Sequence, residues 1–202
     1  MLILLVYAGW KQTAAHSQLA IFLNLVIGID NNLDRLTNIH IPNSAVYGAS
    51  SRIDCICGDA ASILSALRPS TVDIVFMSPP WGGPSYSHRR PLPPGSSSWN
   101  KRRRIERIFS EMQSNVYDDI FDISANIPTL NDALTAAKRL FPLPRLLRIA
   151  VYLPRNSALG QVLKMGWGER EENSVDVAIE EYWLRGRRLA ICAYIGSFNC
   201  EK

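Results

Sequence analysis

The chain has 202 residues, 47% of them hydrophobic and 20% charged, with a formal net charge of +4 and an isoelectric point near 9.0. That length can bury a full core, and the composition is that of an ordinary globular domain. No stretch reaches the ~20 apolar residues of a bilayer-spanning helix, and the basic balance suits a polyanionic partner such as RNA.

The opening Met1-Leu2-Ile3-Leu4-Leu5-Val6 is apolar, but it has no basic flank ahead of it and runs into turn and polar residues, so it reads as a buried strand, not a signal peptide. Leu2 to Tyr7, Leu25 to Asp30, Ile53 to Cys57, Asp73 to Met77 and Leu147 to Leu153 all read as strands of buried parallel type. Helical patterns fall between them: Ala14 to Phe22, Asp34 to Tyr47 with a break or kink expected at Pro42, and Ala60 to Leu67 behind a plausible N-cap at Asp59. Asn131 to Leu140 and Ser157 to Met165 supply later helices. Val175 to Leu184 and Arg188 to Ile195, flanking Arg185-Gly186-Arg187, form a closing antiparallel hairpin. The expected fold is α/β, one domain over 1–202 with a mostly parallel seven-stranded sheet. A Pro- and Ser-rich basic insertion at about 87–116 carries Lys101-Arg102-Arg103-Arg104 and reads as a solvated loop, a contact for RNA phosphates or a nuclear localisation signal.

Cys55, Cys57, Cys192 and Cys200 have no zinc-type spacing and His16, His40 and His88 no clustering, so buried free thiols and no metal are expected.

The most informative run is Asp73-Ile74-Val75-Phe76-Met77-Ser78-Pro79-Pro80-Trp81-Gly82-Gly83-Pro84-Ser85-Tyr86. It starts as a strand and breaks into prolines, an aromatic and glycines, which puts a rigid turn at a strand's carboxyl end, where open α/β sheets hold ligands. A small polar residue followed by Pro-Pro and an aromatic is similar to the active-site tetrapeptide of methyltransferases acting on exocyclic amines of nucleobases. Such an amine shares its lone pair with the ring, so acceptors must draw its N–H groups out of conjugation. The Ser78 hydroxyl and Pro79 carbonyl can accept, Pro79 and Pro80 fix the backbone, and Trp81 offers a stacking face worth about 1–3 kcal/mol per base. The competing reading is a Pro-Pro turn beside a core tryptophan.

The extended motif through Tyr86 resembles the signature of the trimethylguanosine synthase family of cap-specific guanosine-N2 methyltransferases. Gly28-Ile29-Asp30-Asn31-Asn32, Ala45-Val46-Tyr47-Gly48, Ile56-Cys57-Gly58-Asp59, Phe121-Asp122-Ile123 and Leu153-Pro154-Arg155-Asn156 match it in order. The resemblance implies a Rossmann-like class I methyltransferase that uses S-adenosylmethionine on the 7-methylguanosine cap of small nuclear or nucleolar RNA. It implies a monomer acting inside the cell, in the nucleus more than the cytoplasm, without membrane or metal. It assigns Ser78, Pro79, Pro80 and Trp81 to catalysis, and Gly9, Asp30, Asp59 and Ser78 to the cofactor, with Ile29 or Cys57 as apolar neighbours. Trp81, Tyr86, Arg155 and Asn43 fall to the cap, although Asn43 beside Pro42 also suits a turn.

The first loop, Tyr7-Ala8-Gly9-Trp10-Lys11-Gln12-Thr13-Ala14, keeps only Gly9 of the family's acidic, glycine-rich turn. The chain also opens directly at the first strand, so the family's helical N-terminal part is expected to be absent and cofactor binding weak. The alternatives are another nucleobase amino methyltransferase, acting on adenine N6 or on guanine N2 in structured RNA, or a catalytically weakened cap-binding protein.

Overall fold

Short runs rich in Val, Ile and Leu, each broken by Gly, Pro, Asn or Asp, give strands that bury both faces of a parallel sheet. The computed structural model describes residues 2–7, 25–81, 120–167 and 174–198, with the backbone alone for 2–7 and for Arg187. The strands are Leu2–Tyr7 (β1), Leu25–Asp30 (β2), Ile53–Cys57 (β3), Ile74–Ser78 (β4), Arg148–Pro154 (β5), Val177–Leu184 (β6) and Arg187–Gly196 (β7). They form one seven-stranded sheet in the order β3-β2-β1-β4-β5-β7-β6. β1 to β5 pair in parallel, and β7 is antiparallel to both neighbours. The expected helix at Ala14 to Phe22, the basic insertion, Gly9, Tyr86 and Cys200 lie outside the described residues.

Strict alternation sorts the sheet into two faces. Ile29, Val75, Met77, Ile149, Val151, Leu153, Ile191, Ala193 and Ile195 point to the main core with helices Ala60–Ala66 (α2), Ile123–Asn126 (α3), Leu130–Lys138 (α4) and Leu159–Lys164 (α5). Val26 and Ala49, with Ile53, Ile74 and Phe76, make a smaller cluster on the other face. α4 buries Leu130, Ala133, Leu134, Ala136 and Ala137, the stripe of an amphipathic helix. β3 departs from the expected buried strand: it is the sheet's edge, and only alternate residues are partly covered. Cys57 is therefore exposed, contrary to the expectation of buried thiols, whereas Cys192 is buried and Cys55 half-buried.

The helix at 33–46 (α1) corrects a second expectation. Asn32 caps it by accepting from the Arg35 N–H at 2.9 Å, and the chain continues as Leu33–Arg35 in α form, Leu36–His40 as a π turn and Ile41–Val46 in α form. Pro42 does not break it. The Ile41 N–H donates five residues back to the Leu36 carbonyl, and the widened turn accommodates the proline's missing donor and its ring. Gly48, at φ 64°, closes the helix with its N–H on the Ala45 carbonyl.

Other boundaries shift for local reasons. Ser157 is not helical, because it bridges in parallel to Phe121. β6 starts at Val177, since the Val175 N–H is bonded to the Gly166 carbonyl at the end of α5. Among the described residues no helix is long and apolar enough to cross a membrane.

Gly196 ends β7 at φ 94°, and a Cβ there would lie 2.1 Å from the Leu147 carbonyl oxygen. Gly196→Ala is expected to destabilise the fold by at least the ~1–3 kcal/mol of a strained backbone residue, read as a lower urea midpoint at unchanged slope.

Candidate active site

Because β1, β2, β3, β4 and β5 are parallel, their carboxyl ends share one edge of the sheet. The chain order reverses between β1 and β4, the crevice where open α/β sheets bind ligands. Register makes the ends level: Tyr7 pairs with Ser78, Val6 with Ile29, and Asp30 with Cys57. Met77 pairs with Val151, which sets Tyr152 beside Ser78. One lateral row on one face thus carries Cys57, Asp30, Ser78 and Tyr152, continued by Cys192 and Glu180. Asp30 stands two strand spacings from Ser78, about 10 Å.

Asp30 is fully buried. Its Oδ1 accepts from the Asn32 N–H at 2.8 Å, and its Oδ2 faces the Arg35 guanidinium at 3.3 Å. Neither that Oδ2 nor the Arg35 Nε makes a hydrogen bond. Burial pushes the carboxyl above its ordinary range, while the Asn32 N–H, Arg35 and His40 oppose the shift. His40 is buried as well, and loss of water pushes it down against the pull of Asp30. Sequence reasoning singled out Asp30 but missed Arg35, whose only signal is a charge one helical turn beyond a strand-end acid. Ile29, offered as a pocket neighbour, points into the core instead.

Asp59 is exposed and caps α2: its Oδ1 accepts from the Ser62 N–H at 2.9 Å and the Ser62 hydroxyl at 2.8 Å. Those bonds hold the carboxyl below its usual range. Both use one oxygen, so the capping role leaves Oδ2 facing outward.

Ser78 is 2% exposed, Pro79 is buried, Pro80 is exposed and Trp81 is half-buried. The Trp81 ring meets Tyr152 at 6.1 Å between centroids, tilted by 44°. Tyr152 was not foreseen, since only alternation from the core residues Val151 and Leu153 marks it as facing this side. Arg155 follows β5 at the same edge, in a turn pinned from two directions. The Ser157 N–H and hydroxyl donate to the Pro154 carbonyl at 3.1 and 2.8 Å. The Phe121 N–H donates to the Asn156 carbonyl at 2.8 Å. Two segments matched separately in the sequence, Phe121-Asp122-Ile123 and Leu153 to Asn156, therefore meet. Gln161 locks that junction by accepting from the Ile123 N–H and donating to Asp122 Oδ1.

Asn43 sits within α1, not in a turn. It is half-buried and has no hydrogen bond to the other candidates among the described residues. Gly9 and Tyr86 lie outside those residues. Among the described residues no three His, Cys, Asp or Glu side chains gather as metal donors.

The fold is the Rossmann-like one of class I methyltransferases, and several solved structures are similar to it. TrmN from Thermus thermophilus matches at TM-score 0.53 and 15% identity over 98% of this chain and 44% of that one, so the chain spans under half of that protein's length. Precorrin-8W decarboxylase from Methanobacterium thermoautotrophicum matches at 0.51 and 14%, over 96% and 81%. The methyltransferase domain of METTL16 lacking its N-terminus matches at 0.50 and 14%, over 96% and 73%. Residues 13–198 match the sequence pattern of the family described as RNA cap guanine-N2 methyltransferase.

The Asp30 environment yields a pH signature. A carboxyl whose folded pKa is raised disfavours the folded state once ionised, so its stabilising contribution is present below the ordinary value of 3.8 and lost as pH rises through the raised value. Asp30→Asn is expected to melt above wild type at neutral pH, with the gap closing as pH falls below that value. A constant gap in melting temperature across the series would contradict the burial argument.

Proposed function

This chain belongs to the RNA cap guanine-N2 methyltransferase family, and from that premise we propose that it methylates the exocyclic N2 of 7-methylguanosine caps in the manner of trimethylguanosine synthases. The observation that carries the reading is the Ser78-Pro79-Pro80-Trp81 turn at the carboxyl end of β4, beside the sheet's switch point and level with Asp30. The proposed partner is capped RNA of small nuclear or nucleolar type, bound by a monomer in the nucleus.

The cofactor is S-adenosylmethionine, which supplies an electrophilic sulfonium methyl. The residues fit it. Asp30 presents a buried Oδ2 that lacks a hydrogen bond, and ribose hydroxyls are the donors such an atom needs. Asp59, two residues past β3, would offer the adenine amino group its Oδ2, which its cap does not use.

On the substrate side, Trp81 stacks on the cationic 7-methylguanine, gaining about 0.5–2 kcal/mol over the neutral base. The Ser78 hydroxyl makes no hydrogen bond among the described residues, so it is available to accept from the N2 amine together with the Pro79 carbonyl. Pulling those N–H groups aside would free the nitrogen lone pair for the methyl group that the cofactor supplies as it leaves as a thioether. These residues would act by positioning the amine and by dipoles aimed at its growing positive charge, and the proton would pass afterwards to water. Arg155, fixed by its pinned turn, takes cap phosphates.

Calorimetric titration and single-turnover transfer test these roles. Cap analogues with and without the 7-methyl group should differ in affinity, and Trp81→Ala should remove most of that difference while leaving cofactor affinity intact. Asp30→Asn should do the reverse. Ser78→Ala should slow transfer by about 10- to 100-fold, the worth of one hydrogen bond to a charged group, with little change in cap affinity. Equal affinity of the wild-type protein for methylated and unmethylated caps would sink the stacking role.

A further inference from the structure

The β6–β7 hairpin reaches past the site. Pro154 at the end of β5 pairs with Ala190, and the hairpin continues through Tyr182, Trp183 and Leu184 on one arm and Arg187 to Leu189 on the other. Its tip therefore overhangs the carboxyl edge by about three residues, roughly 10 Å. Arg185 and Gly186 form the two-residue turn, at φ 51° and 73°. Two positive-φ positions match the type I′ pattern, in which the first place favours Asn, Asp or Gly. An arginine there is strained, and strain of this kind at an exposed site points to function, not folding.

A row of rings connects that tip to the methyl-transfer turn. Trp81 meets Tyr152 at 6.1 Å, and Tyr152 meets Tyr182 at 5.8 Å, edge to face. Tyr182 is 39% exposed. Its ring is held in place, because its hydroxyl donates to Glu180 Oε2 at 3.2 Å and lies 3.1 Å from the Tyr194 hydroxyl. Tyr194 donates to the same Glu180 oxygen at 2.8 Å, which occupies that carboxylate with phenols. The guanidinium of Arg188 is engaged by Glu181. Arg185 has no such partner among the described residues, and it is exposed.

We propose that the Tyr152–Tyr182 rings and the Arg185 tip form a track for the nucleotides beyond the cap dinucleotide, with bases on the rings and a phosphate on Arg185. This deepens the cap-methyltransferase reading and rests on it. Tyr182 stands three strand spacings across and two residues beyond the level of Ser78, about 16 Å, too far for the base under methylation but suited to its downstream neighbours. Fixed aromatic faces beside a basic tip are what single-stranded RNA needs, since every base offers a π-face and every phosphate a charge. Ordering the ring beforehand lowers the entropy lost on binding.

Fluorescence anisotropy with three labelled probes tests this: a 7-methylguanosine cap dinucleotide, a capped RNA of about ten nucleotides, and the same RNA uncapped. Arg185→Asn suits the turn better than arginine, so its melting temperature should hold or rise. It should nevertheless weaken both long RNAs several-fold and lower the salt slope by about one. Tyr182→Ala should weaken them by about 5- to 100-fold, the range of one stacked base, whereas Tyr182→Phe should retain most of the affinity. None of the three variants should alter affinity for the dinucleotide.

Unchanged long-RNA affinity in both Arg185→Asn and Tyr182→Ala would overturn the track, as would equal losses on dinucleotide and long RNA. If wild type fails to bind the dinucleotide while the variants still lose long-RNA affinity, the cap reading fails and the track stands. Concentration-dependent association of wild type through this hairpin, abolished by Tyr182→Ala with RNA affinity unchanged, would assign the surface to a second copy instead.

Discussion

Everything at this site depends on the lateral register of a parallel sheet. Tyr7 opposite Ser78 and Asp30 opposite Cys57 bring separate strand ends to one level, and the Gly58 N–H on the Asp30 carbonyl ties the turn after β3 to the end of β2. Parallel pairing has a period of two, and a slip of one residue would send Asp30 and Ser78 into the core and bring Ile29 and Met77 to the ligand edge. The depth of the core forbids that slip. Ile29, Val75, Ile149, Val151 and Leu153 are all fully buried against the helices, and each keeps its neighbour on the opposite face. Apolar packing on one side of the sheet is thus what aligns polar chemistry on the other.

What the sequence made legible follows the same division. Strand runs, the closing hairpin and the strand-end residues Asp30 and Ser78 could be read because they rest on local pattern: β-branched runs, then a turn signal. Pairings across the fold could not. Nothing near Phe121 announces that it bridges to Ser157, because that meeting is made by tertiary packing, and the faint signal of Arg35 becomes a contact with Asp30 only through the geometry of the strand-to-helix turn between them. Cys57 was misjudged because strand composition does not say which strand ends at an edge. The expected break at Pro42 is absent because that effect assumes a regular helix, and the π turn just ahead of it, itself an irregularity, relaxes that assumption.

Two departures from the local rules lie at the ligand edge. Asp30 is a carboxylate kept from water with one oxygen lacking a hydrogen bond, and Arg185 holds a backbone shape better suited to asparagine. Many other described positions are locally consistent: Asp59 and Asp122 cap their helices, Gly48 and Gly196 take positive φ, and α4 turns its alanines and leucines inward. Ser70, at φ 64° before β4, is a further departure away from that edge. Departures at the edge where a ligand would supply absent partners are what a binding surface on a largely consistent fold is expected to show.

The π turn in α1 also sets a phase. A π turn holds one residue more than an α turn, so deleting any one residue between 36 and 40 would restore a regular helix and rotate all that follows by about 100° about its axis. Ser44, now buried, would swing aside, and Ile41, now exposed, would be driven toward the sheet. His40 would leave the neighbourhood of Asp30. The extra residue thus works as a vernier, setting the angular position of the helix's second half against the strand-end acid, and a length change there would act on the pocket without altering any residue that lines it.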